Sequence, residues 1–143
     1  MKLAILAITC IIGLTACKQE HQVAAIPEPV EEVKQITITS MDLLKDFKKT
    51  DAYVAEKYGD VQILNVTGKV HNVLIDSVGN PMIKFETMDE FGFDAPLAVI
   101  DEAYASSAST IEKGDTVTVV CTVLQSAMGS PLLRGCGVCA HYW

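Results

Sequence analysis

A stretch of strict alternation constrains this chain more than any other feature. Between residues 61 and 75, Leu64, Val66, Gly68 and Val70 alternate with Asn65, Thr67, Lys69 and His71. A period of two puts successive side chains on opposite faces, so the stretch reads as a half-buried strand rather than a helix. Gly68, in its middle, permits a sharp coil or the close approach of another part of the chain. A second alternation over 116–125 places Val117, Val119, Cys121 and Val123 on one face. The chain has 143 residues, 50% of them hydrophobic. That is room for one small globular domain, not two, and it excludes wholesale disorder.

The other elements fall around these strands. Residues 39–58 read as one helix. Thr39 caps it, and Asp42 stands at the third helical position, as in a capping box. Met41, Leu44, Phe47, Val54 and Tyr58 recur near the helical period with Ala52 and Ala55 alongside, Lys45, Lys48 and Lys49 lie on the wet side, and Gly59 is a natural stop. Residues 76–80 form a turn into a second strand with Ile83 and Phe85 inward and Lys84 outward. Residues 97–100 are a short third strand, and 101–111 an alanine- and serine-rich crossing. Lys113-Gly114-Asp115 turns into the fourth strand, and residues 126–130 turn that into a fifth over 132–141. This order predicts a mainly β fold: a five-stranded, OB-fold-like closed barrel over residues 39–143, preceded by one α-helix. Closure would remove the exposed edges of a small antiparallel sheet.

The N-terminus has a different character. Met1 and Lys2 precede an apolar run that ends in Leu14-Thr15-Ala16-Cys17. One charge followed by a short apolar stretch reads as a secretory signal, too short to span a bilayer, which takes about 20 apolar residues. The ending resembles the bacterial lipobox. The resemblance implies removal of residues 1–16 and acylation of Cys17, which would anchor the chain to a membrane of the cell envelope. Lys18 in the next position favours the outer membrane. Residues 17–38 then read as the lipidated start and a flexible tether. Pro27 and Pro29 break any helix there, and the stretch carries four glutamates and no sustained apolar period.

Several segments together resemble the tRNA_anti-like OB-fold family, many of whose members are small bacterial lipoproteins. They are the helix ending in Lys57-Tyr58-Gly59, the strand Val66-Thr67-Gly68-Lys69-Val70, the turn Lys113-Gly114-Asp115 and the cysteines of the last two strands. The family's name reflects kinship of fold with an anticodon-binding domain, not a shared activity. A net charge of −7 and a single arginine, Arg134, speak against a nucleic-acid partner. Phe91 and Phe93 lie in an acidic stretch rather than in a basic groove.

Three cysteines remain beyond the N-terminal region, and three readings of them stay open. Centring the last turn on Met128 and Gly129 sets Cys121 opposite Cys136, so a structural bridge would brace the barrel, with Cys139 outside it. Cys136 and Cys139 also have the spacing of a redox pair, though not at a helix start. Cys121, Cys136, Cys139 and His141 are ligand types suited to zinc or copper; regular alternation puts Cys136 and Cys139 on opposite faces, and a bulge at Gly135 or Gly137 would bring them to one. No catalytic triad, phosphate-cradling loop or zinc-protease motif is present in the sequence, so no cofactor is predicted. The chain reads as an envelope binding module for a protein or a small ligand. The expected face is the second and third strands with the turns at 76–80 and 125–131, and its candidate residues are Met82, Lys84, Phe91, Phe93 and Met128.

Overall fold

The computed structural model describes residues 32–89 and 92–142. Cys17, the signal and most of the tether lie outside these residues, as does Phe91. In chain order the elements are β1 (Gln35–Thr39), α1 (Ser40–Phe47), α2 (Asp51–Tyr58), β2 (Ile63–Ile75), β3 (Pro81–Phe85) and β4 (Leu97–Ile100). A 3-10 turn (Glu102–Tyr104) and α3 (Ala105–Ala108) follow, then β5 (Thr116–Cys121), β6 (Val123–Ala127) and β7 (Ser130–Tyr142).

The barrel closes through β2, β3, β4, β7 and β5, the last of which pairs back onto β2. β4 and β7 run parallel, while the other barrel pairs are antiparallel. β2 makes closure possible. Its first half pairs with β5 and its second half with β3, so one coiled strand serves two parts of the sheet. Gly68 sits near the changeover. A Cβ there would lie 2.7 Å from both Phe85 Cδ1 and Ser40 Cβ, and nearer still to the Ser40 hydroxyl. The missing side chain lets α1 and β3 converge on β2. The inward faces of the strands supply the core, including Val66, Val70, Ile83, Phe85, Ile100, Val117, Val119 and Leu133.

Three expectations are corrected by the structure. The predicted fourth strand bends at Thr122 into β5 and β6. Gly135, at φ +61°, lies against the Thr122 hydroxyl with no space for a Cβ. The expected single helix is two, broken at residues 48–50. Thr39 caps α1 by accepting from Asp42 N at 3.1 Å, and Thr50 caps α2 by accepting from Tyr53 N at 3.3 Å. Breaking there brings the buried Asp46 carboxylate to Lys49 (2.9 Å), Lys57 (2.5 Å) and Tyr58 Oη (2.7 Å). It also leaves Ala52 and Ala55 exposed, not beside the core. Finally, residues 35–38, assigned to the tether, belong to the folded domain. β1 pairs parallel with β2, from Gln35 opposite Ile63 to Thr39 opposite Thr67, and Lys34 is ion-paired with Asp60.

Candidate ligand-binding face

The outward surface of β3 and β4 follows from alternation. In β3, Pro81, Ile83 and Phe85 are buried, so Met82 and Lys84 point outward. In β4, Ala98 and Ile100 are buried, so Leu97 and Val99 point outward. Register carries this pattern sideways. One row runs Leu74, Met82, Val99, and the next runs Asn72, Lys84, Leu97, Leu132, Gln125. Leu74, Met82, Val99, Leu97 and Leu132 thus make a half-exposed apolar strip that Lys84 punctuates.

Loops rim this strip. The Asp76 side chain accepts from Val78 N (3.0 Å) and Asn80 N (2.8 Å), fixing the 76–80 turn. The backbone N–H of Asn80 is the main cause that holds its carboxyl below the usual range, and that of Val78 adds to it. With the turn fixed, Val78 stands 78% exposed at its tip. In the loop after β3, Gly92 takes φ +58°, and a Cβ there would meet Lys84 Cε at 3.4 Å. The lysine arm therefore crosses Gly92, next to Phe93, which is 84% exposed. At the hairpin between β6 and β7, Met128 and Gly129 have φ of 54° and 83°. Two successive left-handed residues form the tight hairpin turn that Asn-Gly ordinarily serves. A methionine pays a steric penalty there, yet Met128 is fully exposed among the described residues.

Of the residues expected on this face, Met82 and Lys84 lie on its strands, and Phe93 and Met128 on its rim. Phe91 is outside the described residues. Sequence reasoning did not single out Leu74, Leu97, Val99 and Leu132. β4 reads Leu-Ala-Val-Ile, apolar on both faces, so its own alternation gives no direction.

The cysteine readings separate clearly. A disulfide joins Cys121 to Cys136, both wholly buried. The hairpin register about Met128 and Gly129 continues from Ala127 opposite Ser130 to Val123 opposite Arg134, which carries Cys121 to Cys136. His141 Nε2 lies 2.6 Å from Asp115 Oδ2. Glu112 N is the main cause that keeps the Asp115 carboxyl below its ordinary range, with His141 second. The metal candidates Cys136, Cys139 and His141 are therefore not brought together, and among the described residues no cluster of metal-ligating side chains occurs. Tyr142, at the end of β7, is 63% exposed.

Strand order, the parallel β4–β7 pair and the long coiled β2 define an OB-type barrel. The sequence model of the tRNA_anti-like family matches residues 1–137, and the chain belongs to that family. No curated protein matched the chain in a sequence comparison.

Proposed function

We propose that this chain is a lipoprotein of the bacterial cell envelope, anchored through acyl groups on Cys17, whose barrel is a binding module. Its partner is an envelope protein or a small apolar ligand, received on the outward face of β3 and β4. The observation that carries the binding reading is the apolar strip Leu74, Met82, Val99, Leu97 and Leu132, rimmed by exposed Val78, Phe93 and Met128. An apolar patch with a polar border is the usual form of an interaction surface. A strained, exposed methionine at the hairpin tip supports the same reading, since backbone strain concentrates at functional positions. The strip carries one lysine and no outward aromatic ring on β3 or β4, which suits a protein or apolar partner better than a single-stranded nucleic acid.

Two experiments test the two halves of the reading. Mass spectrometry of native material is expected to find residue 17 as an acylated N-terminus, and an intact, unmodified N-terminus refutes the anchor. Photo-crosslinkers at Met128 and Phe93 are expected to trap one specific envelope component, which the same groups on the far side, at Gln62 or Glu112, do not trap. Equal labelling from both sides refutes the face.

A further inference from the structure

A second site lies away from β3 and β4. A cavity of about 370 Å³ opens over β1, β2, β5 and β7 beside the 3-10 turn, within the size range of small-molecule sites. Across its floor runs a row of register partners, Asn65, Val120 and Gly137, which Thr37 of β1 extends beyond the cavity. Asn65 points outward between the inward Leu64 and Val66, yet it is only 5% exposed. Its Nδ2 reaches Thr37 Oγ1 at a long 3.4 Å, and its Oδ1, closed off from solvent, has no hydrogen-bond partner among the described residues. Asparagine is disfavoured in strand interiors, and a desolvated acceptor is costly to leave unpaired. At the other end of the row, a Cβ on Gly137 would meet the Tyr104 ring at 3.4 Å. The glycine thus lets that half-exposed ring lie on the strand.

We propose that this cavity binds a small, flat, apolar molecule carrying one N–H donor. A turn of the Asn65 amide brings Oδ1 to the cavity, where it accepts the donor, and the flat body rests on Val120 against the Tyr104 ring. Two strand spacings separate Asn65 from Gly137, about 10 Å, which suits a fused bicyclic ring. The unpartnered acceptor gives the site its polar requirement, and the ring and Val120 give it its apolar surface. The site shares no residue with the apolar strip, so it stands whether or not that strip binds a partner.

Indole and 1-methylindole are the probes, titrated into the isotope-labelled full chain in lipid nanodiscs and followed by NMR. Indole is expected to give saturable shifts at Ile63, Asn65, Val120 and Gly137. The methylated probe, which lacks the donor, is expected to bind about tenfold more weakly, the usual penalty for a buried acceptor left unmet. Asn65→Leu should erase that preference. Tyr104→Ala, a change at a half-exposed position whose spectrum away from the cavity should match the parent's, should weaken indole by about fivefold or more. Any one of four results overturns the proposal: no saturable shift at these residues below about 5 mM, shifts only elsewhere, equal binding of both probes, or Tyr104→Ala binding like the parent.

Discussion

Gly68→Ala tests the convergence on which closure of the barrel depends. The added methyl would lie 2.7 Å from Phe85 Cδ1 and 2.7 Å from Ser40 Cβ, whereas carbon atoms rest about 3.5–4.0 Å apart. Neither neighbour can yield easily. Phe85 is wholly buried, and Ser40 is 2% exposed at the start of α1. Overpacking of this kind costs about 1–3 kcal/mol, offset in part by about 0.4–1 kcal/mol from the stiffer unfolded chain. The net expectation is a loss of about 1–2 kcal/mol, read as a lower urea midpoint with an unchanged slope and a melting temperature lower by roughly 5–15 °C. A double-mutant cycle with Ser40→Gly separates steric conflict from a general strand effect. Removing the Ser40 side chain should recover about half of the loss, because the Phe85 contact remains. A Gly68→Ala protein as stable as the parent, or a cycle without coupling, would refute the close-approach argument.

Other outcomes follow from the same geometry. Met128→Asn should stabilise the barrel by about 0.5–1 kcal/mol through relief of the left-handed methionine while lowering crosslinking yield to the envelope partner; urea unfolding and crosslinking from intact envelopes check the two effects. Reduction of Cys121–Cys136 should cost about 3 kcal/mol, and its buried sulfurs should leave the protein inactive in insulin reduction; turnover there would favour a redox role for Cys136 and Cys139 instead. Asp46→Asn should destabilise by about 1–3 kcal/mol, since charge-assisted bonds from Lys57, Lys49 and Tyr58 are lost or weakened. Burial alone would raise the Asp46 carboxyl, but bonds from Lys57, Lys49 and Tyr58 outweigh it and hold the group far below its usual range. A depressed carboxyl gives stability that is present above the unfolded value near 3.9 and lost as pH falls through the folded one. The gap between parent and Asp46→Asn stability should therefore narrow below about pH 4, and a gap that stays constant to pH 2 would contradict this.

What the sequence determined by itself is whatever neighbouring residues encode. Alternation in 61–75 and 116–125 is readable because a strand's two faces repeat every second residue. The Met128-Gly129 turn fixes a register that runs back to Cys121 and Cys136, since a tight hairpin leaves no freedom in pairing. Thr39 announces its cap because its hydroxyl needs only an amide three residues on. What tertiary structure decided involves partners far apart in the chain. β1 is five residues long and becomes a strand by lying parallel to β2, a pairing no local turn dictates. The helix breaks at Thr50 because Asp46 is satisfied by Lys57 and Tyr58 across the break, a gain invisible to helical periodicity. The apolar β4 takes its outward face from β3 and β7, and Asn65 is covered only after β1 and β5 close on either side of it. Local pattern fixes which residues alternate, while closure of the barrel fixes which of them meet water.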